Sequence, residues 1–306
     1  MVGGRRSVFA AVTLLAVCAV FAVLGIRSAE LSTPEPAHPG DAATIPDTPV
    51  RIAYGASPDT FGDLYLPERS HGRLPVVVLI HGGGWQQRWT LGQFDQQSRA
   101  LAAHGVAVWN IEYRRVGGAG GWPTTLDDVD AAVSALETEV QPKVGGVLDL
   151  QRVHVAGHSA GGQLAAWVAG HRQPLGQPVP GHTGIRIRSA TLMAAPLDLT
   201  QAVRNRDGYV PTLLGGTPEE VPHRYRYASP IEHLPAEVEV TALHGAGDRV
   251  VDPEQSRRYV DAVKRAGGTA EARVLPGVGH GDFADPNSAA WATAQRTILG
   301  YSSAAD

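Results

Sequence analysis

A single cysteine occurs in the 306-residue chain. It is Cys18, inside an apolar N-terminal run, so the rest of the chain offers neither a disulfide framework nor a thiolate nucleophile. Lysine is nearly absent: of 26 basic residues only Lys143 and Lys264 are lysines, and no long basic run occurs beyond the N-terminus. The formal net charge is −4, and this balance does not favour nucleic acid or another polyanion. No cluster of histidine, cysteine and carboxylate has metal-ligand spacing, so no metal or other cofactor is expected. There is no internal repeat.

What is present begins with Arg5-Arg6 and an unbroken apolar stretch at residues 8–26, followed by a Pro-, Ala- and Asp-rich segment at residues 32–49. Residues 1–31 read as a signal peptide or an N-terminal membrane anchor, and residues 32–49 as a linker. The stretch is long for a signal-peptide core and just long enough to span a bilayer, and no convincing A-x-A site follows it, so cleavage and retention both stand. In either case the chain is expected to be exported, secreted or attached to the membrane through residues 8–26. Arg5-Arg6 favour an N-terminus inside and a domain outside. The surroundings of Arg5-Arg6 match a twin-arginine signal poorly. Val17 is too bulky for a lipoprotein site at Cys18.

Residues 50–306 remain as one domain, and with 43% hydrophobic residues in the chain it can bury a substantial core. Apolar or alternating runs predict strands at residues 75–80, 106–111, 152–156, 189–194, 238–243 and 270–275. Helical stretches at residues 124–140, 163–169 and 286–299 fall among them. Such alternation predicts an α/β fold, a mostly parallel sheet with helices on both faces. Asp127 and Asp128, after Thr124 and Thr125, read as acidic charges at a helix start. Residues 197–234 form a long excursion rich in Arg, Tyr and Pro and read as an insertion of the kind that covers a substrate.

Four motifs carry chemistry. In a chain with 36 glycines a Gly-x-Ser-x-Gly pattern is weak by itself, but Gly157-His158-Ser159-Ala160-Gly161 joins the 152–156 strand to a helix. Ser159 is therefore expected on a strained elbow whose flanking glycines avoid the neighbouring strand and helix, with helix N–H groups beside it. His81-Gly82-Gly83-Gly84 follows the buried strand at 75–80, so the amides of Gly83 and Gly84 can join that of Ala160 as an oxyanion site. Asp248 lies in a Gly-rich loop after the 238–243 strand, whereas Asp252 reads as a helix N-cap before Pro253. Of 12 histidines, His280 alone follows that acid, in the loop after the 270–275 strand. His81 reads as a loop-orienting partner, and His158 and His244 as structural. Trp85, Trp122, Tyr209, Tyr225 and Tyr227 are candidates for a substrate pocket, with packing of the insertion as the competing role for the tyrosines.

With these motifs in the order Ser159, Asp248, His280, the chain resembles the α/β-hydrolase superfamily over about residues 54–299. More narrowly it resembles the esterase/lipase branch with an HGGGW loop, in its feruloyl- and acetyl-xylan-esterase-like group, near kynurenine formamidases and the prolyl-oligopeptidase catalytic domain. The residues that carry the resemblance are Asp63-Leu64-Tyr65-Leu66-Pro67, the loop from His81 to Trp85, Asn110-Ile111-Glu112-Tyr113-Arg114, the elbow, Ala228-Ser229-Pro230, the loop from His244 to Asp248 with Val251, and Gly279-His280. It implies Ser159, Asp248 and His280 as a catalytic triad cleaving a small-molecule ester through an acyl-enzyme. Gly117-Gly118-Ala119-Gly120-Gly121, before Trp122, departs from the pattern in a loop that can border the pocket. Amide cleavage, as a formamidase or a peptidase, is the rival reading. Acyl transfer to an alcohol uses the same residues, and a binding protein that retained only the fold would be expected to lack one of them. Acyl length, alcohol and oligomeric state are not readable from the sequence.

Overall fold

Aliphatic and β-branched runs form the central strands because a strand covered on both faces buries every side chain, successive ones to opposite sides. In the strand Leu74–Ile80, Val76, Val78 and Ile80 enter one core while Val77 and Leu79 enter the other. Each such fully buried side chain contributes roughly 1.5–3 kcal/mol of transfer free energy.

The structure, a computed structural model, describes residues 49–69, 72–173 and 184–303. Internal contacts divide the chain after Asp41, and all described residues belong to the unit Ala42–Asp306. The apolar run at 8–26, Cys18 and nearly all of the linker lie outside the described residues. Among the described residues no helix is long and apolar enough to cross a membrane.

The strands are β1 (Val50–Ala53), β2 (Phe61–Tyr65), β3 (Leu74–Ile80), β4 (Ala107–Ile111), β5 (Leu148–His158), β6 (Ile187–Met193), β7 (Glu239–Gly245) and β8 (Ala270–Leu275). They form one eight-stranded sheet in the order β1-β2-β4-β3-β5-β6-β7-β8. β1 pairs antiparallel with β2 and β2 with β4, and every later pairing is parallel. β1 and β2 escape the periodicity reading because they are only four and five residues long and sit where the sheet is antiparallel.

The helices are α1 (Asp95–Ala102), α2 (Thr124–Ala135), α3 (Gln141–Lys143), α4 (Ala160–Arg172), α5 (Leu199–Arg204), α6 (Tyr209–Leu214), α7 (Pro222–Ala228), α8 (Glu254–Arg265) and α9 (Ala289–Ser303). Side chains of α2, α4 and α8 fill the core on one face of the sheet, and those of α1 and α9 the core on the other. The helix expected over residues 124–140 is not continuous: α2 gives way to a π-helical turn at Leu136–Val140 before the single turn of α3. Asp128 does not act as a charge at the helix start. It accepts from the backbone N–H of Arg114 at 2.9 Å and from its Nε at 2.8 Å, pinning the chain that leaves β4. The excursion between β6 and β7, which shows little periodicity in sequence, is organised as the short helices α5, α6 and α7.

Candidate active site

Four loops leave the C-terminal ends of the parallel strands β3, β5, β7 and β8, the end at which open α/β sheets gather their ligand-binding groups. β5 ends at His158 and α4 begins at Ala160, so Ser159 alone makes the turn. Its φ of 55° and ψ of −121° lie where side-chain-bearing residues are rare, at a cost of order 1–3 kcal/mol. A Cβ on Gly157 would strike the carbonyl of Gly161, and one on Gly161 would strike the carbonyls of Ile80 and His81. The N–H of Ser159 donates to Met193 O at 2.8 Å, which ties the elbow to β6.

The loop after β3 turns on Gly83 (φ 103°) and Gly84 (φ 60°), conformations that favour glycine. Gln93 Oε1 accepts from the N–H of Gly82 at 3.1 Å. The N–H groups of Gly83, Gly84 and Ala160 have no acceptor among the described residues, and all three residues line the pocket that holds Ser159. Beneath the loop, buried His81 stacks on Tyr113 with ring centroids 4.4 Å apart, and Glu112 Oε1 accepts from His81 Nε2 at 2.8 Å. Buried Arg115 reaches the same Glu112 oxygen at 2.8 Å and Asp59 at 3.0 Å. His81 thus orients the loop from below, as its sequence position implies.

Asp248, on the loop after β7, has a fully buried side chain. Its Oδ1 accepts from the backbone N–H groups of Val250 at 2.8 Å and Val251 at 2.9 Å. Its Oδ2 accepts from His280 Nδ1 at 2.7 Å. Burial by itself would raise this carboxyl, but hydrogen bonds from His244, His280 and Val251 outweigh it and hold Asp248 well below the usual carboxylate range. With Nδ1 donating, His280 Nε2 is the acceptor, and Ser159 Oγ donates to it across 3.0 Å. The remaining elbow residue, His158, donates from Nε2 to the backbone carbonyl of His280 at 2.9 Å. Burial, with His280 close by, pushes His158 down to about 3, so its ring is neutral at ordinary pH. Asp252 accepts from the N–H of Glu254 at 2.9 Å, a capping bond made from one residue before the helix cap at Pro253.

The pocket above Ser159 has a volume of about 380 Å³ and is mainly apolar. Of the sequence candidates it includes Trp85 and Tyr209. Trp85 is almost wholly buried, and its Nε1 donates to Gln163 Oε1 at 3.1 Å, so it shapes the floor. Trp122, Tyr225 and Tyr227 lie elsewhere. Tyr225 packs inside the insertion with its hydroxyl on Gly216 O at 3.0 Å. Tyr227 packs edge-on against Trp122, centroids 5.0 Å apart, and lines a separate depression with Trp167 and His171. A tyrosine in a short helix lacks the extended periodicity that would show which way it faces. The Gly117 to Gly121 stretch does not border the pocket either. It folds back on Arg115, whose carbonyl accepts from Gly118 and Gly120 N–H at 3.1 and 3.0 Å.

Sequence reasoning missed Trp89 and Val250. These two and Tyr209 are exposed by 42%, 60% and 43%, and all three stand at this pocket. The ring of Trp89 packs where a Cβ of Gly83 would lie. The one sequence signal for Trp89 is a second tryptophan close behind the glycine loop.

Among known proteins, the BD-FAE family model matches residues 62–263. The chain is 28% identical to esterase LipC of Mycobacterium tuberculosis over 245 residues, which cover 76% of this chain and 59% of LipC. It is 27% identical to kynurenine formamidase of Danio rerio over 231 residues, covering 74% and 72% of the two chains. Of solved structures, a bifunctional GH43-CE protein of Bacteroides eggerthii superposes with a TM-score of 0.70 at 23% identity, over 84% of this chain and 38% of that one. The sheet order, the elbow and these neighbours make this an α/β-hydrolase fold.

Proposed function

The chain belongs to the BD-FAE family, and from that premise we propose that it hydrolyses carboxylic esters through an acyl-enzyme on Ser159. The observation that carries this reading is the continuous hydrogen-bond line from Ser159 Oγ through His280 to Asp248, at 3.0 and 2.7 Å, beside the N–H groups of Gly83, Gly84 and Ala160. LipC, similar over 76% of this chain, is an esterase and supports ester chemistry.

In this mechanism Ser159 Oγ attacks the ester carbonyl while His280 Nε2 takes its proton. Asp248 holds the tautomer that leaves Nε2 as acceptor and stabilises the imidazolium that forms. The developing oxyanion receives the N–H groups of Gly83, Gly84 and Ala160, worth about 3–4 kcal/mol for a single such donor. The bond to the leaving oxygen then breaks, and His280 returns the proton to the departing alcohol. Water attacks the acyl-serine by the same path. The pocket lies within the usual range of about 300–1,000 Å³ for small-molecule sites, toward its lower end. We therefore expect short or compact acyl and alcohol groups.

The zebrafish formamidase relative favours formamide cleavage as the second reading, since the chain covers 72% of it. Steady-state hydrolysis of a ladder of p-nitrophenyl esters beside one aryl-formamide tests both. Turnover falling with acyl length supports the ester reading, and turnover of the formamide alone replaces it. Export is also proposed, on the strength of Arg5-Arg6 and the apolar run at residues 8–26.

A further inference from the structure

Asp248 Oδ2 faces two histidines. Besides His280 at 2.7 Å, Nε2 of His244 lies 3.3 Å away, with both side chains fully buried. The same Nε2 is 3.0 Å from Val251 O, so it faces only acceptors and carries the hydrogen, with Val251 O the nearer acceptor and Asp248 Oδ2 the longer contact. The other ring nitrogen, Nδ1, sits 2.7 Å from Ser256 Oγ on α8. With the hydrogen on Nε2, Nδ1 is open to accept from the Ser256 hydroxyl. The two histidines thus meet one carboxylate oxygen in opposite tautomers, His280 through Nδ1–H and His244 through Nε2–H. With Val250 and Val251 N–H on Oδ1, N–H groups face both carboxylate oxygens.

We propose that His244, with its ring held in place by Ser256, is a positioning residue for the reaction: it locks the Asp248 carboxylate in the rotation that keeps Oδ2 on His280. This rests on the reading of Ser159, His280 and Asp248 as the reacting line. The physical case lies in how each oxygen of Asp248 is held. Val250 and Val251 N–H anchor Oδ1 alone, and a carboxylate held at one oxygen can still swing the other out of line with the imidazole. The His244 bond closes that motion from β7, the strand that also launches the loop. Loss of a hydrogen bond to a charged group, about 1.5–3 kcal/mol, corresponds to a fall in kcat of roughly tenfold to somewhat above a hundredfold. KM should hardly change, because His244 itself does not line the pocket that a substrate would fill.

The test is a double-mutant cycle in the full chain, with p-nitrophenyl acetate as substrate and kcat expressed per folded protein. His244→Leu removes the donor, and His244→Gln keeps an N–H near the Nε2 position. Ser256→Ala leaves His244 in place but removes the hydroxyl that holds its ring through Nδ1, and serves where His244→Leu does not fold. The proposal expects His244→Leu to lower kcat at unchanged KM, His244→Gln to recover most of it, and Ser256→Ala to fall between. It further expects His244→Leu and Ser256→Ala to cost little more in an Asp248→Asn background, since their effect passes through that carboxylate. Full kcat in folded His244→Leu, or an equal loss with and without Asp248, overturns it. Ser159→Ala is run alongside: if it retains turnover, the reading of the reacting line fails instead.

Discussion

His158 donates through Nε2 to the backbone carbonyl of His280 at 2.9 Å. The residue before the nucleophile therefore holds the loop that carries the base, and the geometry between Ser159 and His280 is set by a contact outside the line of reacting groups. His158→Ala should lower kcat with the protein still folded, because the His280 loop loses its tie to the elbow. The cost of one such bond, about 1 kcal/mol, predicts a several-fold loss. Circular dichroism with steady-state kinetics checks this, and unchanged kcat in a folded variant contradicts it.

Gly161 abuts the carbonyls of Ile80 and His81. Gly161→Ala forces α4 away from β3 and should destabilise the fold by roughly 1–3 kcal/mol. Activity should fall more steeply than stability, since Ser159 moves with the helix. Urea unfolding and initial rates on the same preparation measure the two losses.

Acid should weaken the fold through its buried histidines. Burial pushes His154 and His158 down to about 3, whereas in the unfolded chain a histidine titrates near about 6.5. Between those values the unfolded state binds more protons, so stability rises with pH and is lost as pH falls. Asp248 adds in the same direction: its lowered carboxyl contributes stability above the ordinary carboxylate range, lost as pH falls below it. His154→Leu removes one of these groups far from Ser159. The lead of wild type over this variant should shrink by about 2 kcal/mol between pH 7 and pH 5. Urea midpoints at the two values test it, and a constant gap contradicts it.

Much of the site is legible in the sequence because each motif has a local geometric reason. Gly157 and Gly161 are required by the elbow, and Asp248 and His280 each follow a strand whose end faces the same crevice. His81 reads as a loop-orienting partner, yet Glu112, the carboxylate it meets, lies 31 residues on in a segment that no local pattern connects to it. The edge strands β1 and β2 are too short for a periodic signal. Tyr225 and Tyr227 could not be assigned a side because three short helices, rather than one long amphipathic element, carry the insertion.

Trp89 and Tyr209 flank the glycine loop and are exposed at the pocket mouth. Tyr209→Ala should raise KM for p-nitrophenyl butyrate by about tenfold, the equivalent of roughly 1.4 kcal/mol of apolar contact. The effect on p-nitrophenyl acetate should be smaller, because less apolar surface reaches the ring. Equal effects on both esters would remove Tyr209 from the substrate contact.

The most direct test of the account is a pre-steady-state burst of p-nitrophenol from the full chain with p-nitrophenyl acetate, followed by intact-mass analysis of the quenched protein. The account predicts a stoichiometric burst and an acetyl adduct on wild type, with neither on Ser159→Ala. A burst or adduct that survives in Ser159→Ala would contradict it.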